Sequence, residues 1–392
     1  MSNIWIFDEY DRTLPSGMKS WRSLLDHGKK HDWVRFDDLQ TAKNTTAVRF
    51  FSSGTTGLPK AASLSHYNLV AQHTLVYDAH PRSYKPIRLV PLPIFHAAAA
   101  PMTHTSALKD GTPTYIMRRF ILEKFLDHIQ TYGVTDLRIV PPIALAIINS
   151  PISQKSCFRT IKIATCGAAP LDKSQQSMLL NKLPAGIPCT QAYGMTEISS
   201  LGALVPYPED DDTGSIGRLI PGLEAKLIDE EGKNISEYDV REELCLRGPT
   251  VINGYFDNPA ANKEASDQDG WFKTGDLAYC PKGTEYWYIV GRKKELIKVR
   301  GIQVAPQEIE ITLGEQDGEH PRAFVIKKDG DSSASLTEDD VKAFAASKLA
   351  KYKDLTGGVR FVDAIPKNAS GKTLKTALKQ RAEKEDHQKA HL

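Results

Sequence analysis

This 392-residue chain lacks any apolar run long enough for a membrane-spanning helix, since its stretches at 87–102 and 139–148 are short and broken by proline. Its first residues, MSNIWIFDEYDR, are acidic and lack a long apolar run, so no signal peptide is expected. Cysteine is scarce and scattered. Cys157, Cys166, Cys189, Cys245 and Cys280 show no C-x-x-C spacing, which excludes a zinc ribbon or a disulfide framework and points to reduced intracellular thiols. An excess of one charge is missing too: 50 Lys+Arg against 48 Asp+Glu leave +2, no footprint for a polyanion, so nucleic acid is not the expected partner. No internal repeat is evident. What remains is ordinary globular composition, 41% hydrophobic and 25% charged. At roughly 150 residues per domain the length accommodates two or three domains.

Strand and helix patterns alternate over the first half. Ala47 to Phe51 is a β-branched and aromatic run stopping at Ser52-Ser53-Gly54. The segment from Ser65 to about Val76 suits an amphipathic helix, and IRLVPLPIFH (87–96) a buried strand entering a loop. Residues 120–132 have helical spacing, TDLRIV is a strand followed by a helix with Pro142 near its start, and IKIATCGAAPL (161–171) is a strand meeting a small-residue turn. A further helical stretch, DKSQQSMLLNKL, follows. The alternation predicts α/β layers around a largely parallel sheet. After about residue 200, short strands separated by Gly, Pro, Asp and Asn predict an antiparallel β subdomain. Beyond Arg292 the chain turns lysine-rich, with a strand at RAFVIKK and helices at 337–352 and about 373–385. The boundary is placed near Gly291, giving a large domain over 1–290 and a smaller C-terminal α+β domain over 291–392.

The strongest local motif is Ser52-Ser53-Gly54-Thr55-Thr56-Gly57-Leu58-Pro59-Lys60, immediately after a strand. Glycines let backbone N–H groups approach a phosphate, while hydroxyls and Lys60 add donors and positive charge. It is no Walker A loop, because only two residues separate Gly54 from Gly57 and Lys60 follows Pro59. A polar surface turn would have the same residue types. Tyr193-Gly194-Met195-Thr196-Glu197 offers a ring, a hydroxyl and a carboxylate suited to Mg²⁺, or simply a turn with threonine as a helix cap. Gly167-Ala168-Ala169-Pro170-Leu171 lets a flat ring approach the backbone at a strand end, though a helix start would look alike. Asp276, in Thr274-Gly275-Asp276-Leu277, is read either as a ligand group or as a local turn cap. His96, in LPIFHAAA, is either a pocket group or a buried hydrogen-bonded core histidine.

Taken in order, these motifs resemble the adenylate-forming superfamily of acyl-CoA synthetases, adenylation domains and luciferases, and within it the aryl and medium-chain ligases related to 4-coumarate:CoA ligase. The resemblance runs from about Ala47 to Lys375. It implies an ATP-dependent carboxylic acid–CoA ligase working through an acyl-adenylate, with ATP, Mg²⁺ and coenzyme A as cofactor and co-substrates and a small carboxylic acid as partner. It further implies that Ser52, Ser53, Gly54, Thr55, Thr56, Gly57 and Lys60 cradle the phosphates. Gly167, Ala168, Ala169, Tyr193 and Gly194 would lie at the adenine, Thr196 would bond the α-phosphate, and Glu197 would hold the metal. By the same resemblance Asp276 and Arg292 reach the ribose, Lys298 and Gln303 contact the adenylate, and Arg300 and Gly301 meet CoA. Lys372, in Pro366-Lys367-Asn368-Ala369-Ser370-Gly371-Lys372, would bridge the acid carboxylate and the α-phosphate, and His96 would line the acyl pocket.

Several positions depart from that pattern. Only about fifty residues precede the phosphate loop where relatives carry a long region, and the segment near 311–321 reads as an internal deletion in the small domain. Ala61, Glu242 and Gly291 replace residue types usual in the family. The gaps leave open a truncated, non-catalytic nucleotide-binding homologue, and the shared first half-reaction leaves open loading of a carrier-protein thiol. The end, KAHL, is not a peroxisomal address, and a cytoplasmic location is expected.

Overall fold

The computed structural model describes residues 5–6, 14–27, 35, 37–52, 59–293, 297–299, 302–304, 313–315, 320–325, 337–348, 355, 357–366, 377–378 and 381. The chain divides into two compact units, Met1–Ala42 and Lys43–Leu392. In the first, Trp5–Ile6 pairs in parallel with Lys19–Ser20, and Trp21–His27 follows as a 3₁₀ segment.

The second unit is organised around a seven-stranded sheet. Its spatial order is Arg218–Leu219, Ser200–Leu204, Cys189–Met195, Ile163–Gly167, Asp136–Ile139, Arg88–Val90 and Thr114–Ile116. The last five of these are parallel to their neighbours and the first two form an antiparallel edge. The expected parallel α/β layer is therefore present. Two strands expected in the later β subdomain instead extend this sheet, because the chain reverses at a single turn, Thr196–Ile198, after Met195.

Helices Leu122–Tyr132, Pro141–Asn149 and Lys173–Leu180 cover one face. In the first, Phe125, Leu126 and Ile129 recur at helical spacing and are buried, and Gly133 ends the helix in a left-handed conformation that glycine adopts at no steric cost. In the second, Pro141 and Pro142 occupy the first turn, where a missing N–H leaves nothing unsatisfied. These helices pack on Leu137, Ile139, Ala164, Cys166 and Cys189, alternate residues of the three strands beneath them. The helix expected from Ser65 spans His66–His73 and continues as a wider π-type turn, Thr74–Asp78. Its Ser65 cap and Asn68 exchange hydrogen bonds in a capping box.

A four-stranded antiparallel sheet follows, in the order Glu224–Ile228, Glu242–Arg247, Phe272–Tyr279 and Tyr288–Arg292. Along Phe272–Tyr279 burial alternates strictly, so Phe272, Thr274, Asp276 and Ala278 share the inner face. Tyr193 and Ala203 of the large sheet, with Ile198 of the turn between their strands, pack with Leu227, Leu244, Leu246 and Ala278 of this one in a single apolar cluster. Further on, Leu313–Glu315, His320–Val325 and Gly358–Phe361 form a three-stranded sheet under helix Glu338–Lys348, with Ala323, Val341, Ala345 and Val359 between them. The segment read as shortened, near 311–321, thus still supplies one strand and begins another. Most of the helix expected at 373–385 lies outside the described residues.

All five cysteines are free, and four are buried. Burial pushes the Cys166, Cys189 and Cys245 thiols up to about 12, and raises that of Cys280 as well. The thiolate is the reactive form, so these four should be inert near pH 8. In the native protein one thiol per chain, the half-exposed Cys157, is expected to react promptly with Ellman's reagent, and all five after denaturation. Prompt native reaction of two or more would contradict this packing.

Candidate functional site

The site gathers where strand Cys189–Met195 reverses direction. Gly194 opposes Leu201 so closely that a Cβ there would collide with the Ser200 carbonyl oxygen, which accounts for glycine in this motif. The turn carries Thr196 and Glu197, only 7% and 4% exposed, and is followed by Ser199 at φ 62° and Ser200 at φ 124°. Two successive non-glycine residues in this region are costly and persist only where surroundings enforce them. The surroundings do so here: the Ile252 amide donates to the Glu197 carbonyl (3.0 Å), and Ser199 Oγ donates to the Thr250 carbonyl (2.7 Å).

The Tyr255 hydroxyl donates to Glu197 Oε1 at 2.9 Å. Burial, then the adjacent Glu197 charge, raises the Tyr255 phenol far above its ordinary range, so it remains a donor. Among the described residues none donates a hydrogen bond to Glu197 Oε2. A buried carboxylate with one oxygen fixed and the other available suits a hard cation that keeps waters and phosphates as its other ligands, which is how Mg²⁺ is usually held. Lys60 Nζ lies 5.0 Å from the centre of the Tyr255 ring, so one aromatic side chain touches both the lysine and the acidic residue. Lys60 pairs with Ser52 at the foot of the Thr46–Ser52 and Lys60–Ser65 hairpin. The intervening Ser53, Gly54, Thr55, Thr56 and Gly57 lie outside the described residues.

Tyr255 escaped the sequence reading. Its only local signal is an aromatic residue between Gly254 and the capped helix beginning at Asn258-Pro259, and its partner is 58 positions away.

A second cluster joins the two sheets. The Tyr193 hydroxyl donates to Asp276 Oδ2 at 2.7 Å, and Arg292 Nε lies 2.8 Å from Asp276 Oδ1. Asp276 and Arg292 are direct cross-strand partners, and Asp276 is 3% exposed. Its amide donates to Thr274 Oγ1 (3.1 Å), whose hydroxyl donates to the Leu244 carbonyl (2.7 Å). Burial, then the Asp276 charge, holds the Tyr193 phenol well above its ordinary value, keeping it protonated. The local-cap reading of Asp276 is replaced by this long-range network.

Gly167 ends its strand opposite Ala192, and the following Ala168, at φ 70°, and Ala169 are exposed. Gln191 fixes the turn by accepting from the Leu171 amide (2.8 Å) and donating to its carbonyl (3.0 Å). A small-residue loop clamped to the next strand leaves an open, rigid edge for a flat ring. The His96 carbonyl accepts from the Ala99 and Ala100 amides while its Nδ1 accepts from Ala98 (3.1 Å), so the residue caps a helical turn. Burial lowers its pKa, and the Nδ1 bond leaves Nε2 as the protonated nitrogen of the neutral ring. His96 is thus a half-buried, hydrogen-bonded histidine whose other nitrogen is a donor.

Lys298 and Gln303 oppose one another in the Ile297–Val299 and Ile302–Val304 hairpin. Arg300, Gly301 and Lys372 lie outside the described residues. No helix among the described residues is long and apolar enough to cross a membrane.

Comparison with known proteins adds a family. Residues 12–256 match the AMP-binding enzyme family and 313–372 match its C-terminal domain. The chain is 49% identical to a phenylacetyl-CoA ligase of Aspergillus niger, over 96% of this chain and 72% of that protein. It is 36% identical to a 4-coumarate–CoA ligase of Pinus taeda, over 84% and 64% respectively. The fold is similar to that of an O-succinylbenzoate coenzyme A synthetase from Bacillus subtilis in complex with ATP and magnesium, with a TM-score of 0.74 and 26% identity over 86% of this chain and 70% of that one.

Replacing Tyr193 by Phe removes one donor to a buried carboxylate. It should cost about 1–3 kcal/mol of unfolding free energy, measured by urea titration. A change below a few tenths of a kcal/mol would show that the bond is not formed.

Proposed function

The chain belongs to the AMP-binding enzyme family, and on that premise we propose that it joins a carboxylic acid to coenzyme A, using ATP and passing through an acyl-adenylate. The observation that carries the reading is that one short stretch of chain, Tyr193–Glu197, takes part in two side-chain clusters, Lys60–Tyr255–Glu197 and Tyr193–Asp276–Arg292.

In the first half-reaction a carboxylate oxygen of the acid attacks the α-phosphorus of ATP and pyrophosphate leaves. In the second, the CoA sulfur attacks the acyl carbon and AMP leaves. Little covalent work falls to the protein, so its residues position groups and stabilise charge. We assign Ser52, Ser53, Gly54, Thr55, Thr56, Gly57 and Lys60 to the phosphates and Thr196 to the α-phosphate. Gly167, Ala168, Ala169, Tyr193 and Gly194 form the adenine edge. Asp276, paired with the adjacent Arg292 guanidinium, accepts from the ribose hydroxyls. Glu197 would hold Mg²⁺, which lowers the charge the acid must approach. Tyr255 acts as a positioning residue, aiming that carboxylate while its ring confines Lys60. His96 offers Nε2–H at the acyl pocket, Lys372 meets the acid and the α-phosphate, Lys298 and Gln303 the adenylate, and Arg300 with Gly301 the CoA.

We further assign residues 1–290 to a nucleotide-binding domain and 291–392 to a smaller domain that reorients between half-reactions. Support comes from the two family matches ending at 256 and beginning at 313. The unpaired thiols favour a cytoplasmic location. Aryl and medium-chain acids are the substrate class, with phenylacetate the first to try, given the similarity to a phenylacetyl-CoA ligase.

The test is pyrophosphate release with phenylacetate and a panel of aryl and medium-chain acids, followed by mass-spectrometric detection of the CoA thioester. Both should appear and both should require Mg²⁺. A folded protein that binds ATP but turns over no acid would refute the reading. Tyr255→Phe should fold and weaken the apparent Mg²⁺ affinity in that assay by roughly 10-fold, the usual effect of removing a group that orients a metal ligand. An unchanged Mg²⁺ dependence would remove Tyr255 from this role.

A further inference from the structure

A partly open cavity of about 410 Å³ lies on the sheet face opposite the three helices, bordered by Ile163, Thr165 and Ala192. None of Lys60, Thr196, Glu197, Asp276 or Arg292 lines it. Its charged lining is uneven: Arg82, Lys85, Arg88 and Arg138 face Asp78 and Asp110. The two acids are engaged elsewhere, since Asp78 is paired with Lys109 (2.9 Å) and both approach His73 Nε2 (3.1 and 3.4 Å). One further carboxylate, the buried Asp136, stands behind the arginines. Its Oδ1 accepts from Tyr84 (2.8 Å) and Thr135 (3.1 Å), while Oδ2 is 4.0 Å from Arg82 Nε and accepts no hydrogen bond among the described residues.

Two of the three guanidiniums, those of Arg82 and Arg88, are left without full compensation. Arg88 and Arg138 lie 4.8 and 5.3 Å from the Tyr77 ring centre, and Arg138 Nη1 donates to its hydroxyl at 3.1 Å. Arg82 lies 5.0 Å from the Tyr207 ring. Arg88, 3% exposed, has buried Nε and Nη1 groups with no acceptor among the described residues, and so has Arg82 at Nη1. Burial, then the nearby Arg138 charge, lowers the pKa of both. Burying guanidinium groups beside one another without acceptors is unfavourable, and aromatic faces offset only part of that. A planar fork of N–H donors in a space of this volume is matched by an oxyanion.

We infer that this cavity is a second binding site, separate from the nucleotide site, for a small oxyanion, a carboxylate or phosphate ligand held by Arg82, Arg88 and Arg138. The ligand neutralises the surplus charge, so it should stabilise the folded chain.

Thermal unfolding of the full chain tests this, in inorganic phosphate and separately in succinate, against sodium chloride at equal ionic strength. The wild-type melting temperature should rise by roughly 2–4 °C in at least one of the two, and which one distinguishes phosphate from carboxylate. Arg88→Met and the partly exposed Arg82→Gln should lose the rise, while Lys60→Ala should keep it. If Arg88→Met does not fold, Arg82→Gln decides. No rise beyond sodium chloride, an equal rise in the arginine variants, or loss only in Lys60→Ala would overturn the inference; the last would place the anion at the phosphate loop.

Discussion

The carboxylate of Asp276 is the group on which the rest of the site depends. It is buried, and a buried charge survives only with partners on every side. Those partners come from both sheets: Tyr193 from the large one and Arg292 from the four-stranded one. Breaking such a group typically costs 3–5 kcal/mol because an uncompensated charge remains. The contact therefore ties the two sheets together at one buried acidic group.

From that tie the rest follows along the backbone. Tyr193 stands on the strand that also carries Gln191, which clamps the Gly167–Leu171 loop, and Gly194, which permits the tight return of the chain at Ser200. The return places Thr196 and Glu197 on a strained turn, and Tyr255 holds Glu197 from the other side. These groups gather at strand ends and the short turns beyond them, where ligands usually bind in parallel sheets. The Arg82, Arg88 and Arg138 cluster sits on the same sheet, yet the chemistry proposed for the nucleotide site makes no use of it.

Much of this was legible in the sequence, and the legible part has a common cause. Helix Leu122–Tyr132 and strand Asp136–Ile139 announce themselves by periodicity, a property of a few consecutive residues. The motifs at 52–60, 193–197 and 274–276 were visible because each concentrates unusual residue types in one turn. What escaped is what depends on partners far along the chain. Tyr255 gains its meaning from Glu197, 58 positions away, and the bond between Tyr193 and Asp276 spans 83 positions. The antiparallel edge at Ser200–Leu204 and Arg218–Leu219 escaped because strand propensity does not say which sheet a strand joins. The strand at Leu313–Glu315 escaped because three residues are too few to show a period.

The most direct measurement is the affinity of the wild-type chain for ATP against 2′,3′-dideoxy-ATP, by calorimetry, repeated with Asp276→Ala. If Asp276 accepts from both ribose hydroxyls, the wild type should prefer ATP by about 10-fold or more, one net charge-assisted hydrogen bond or better. The Asp276→Ala chain should bind both alike. Equal binding of the two nucleotides by the folded wild type would contradict the account.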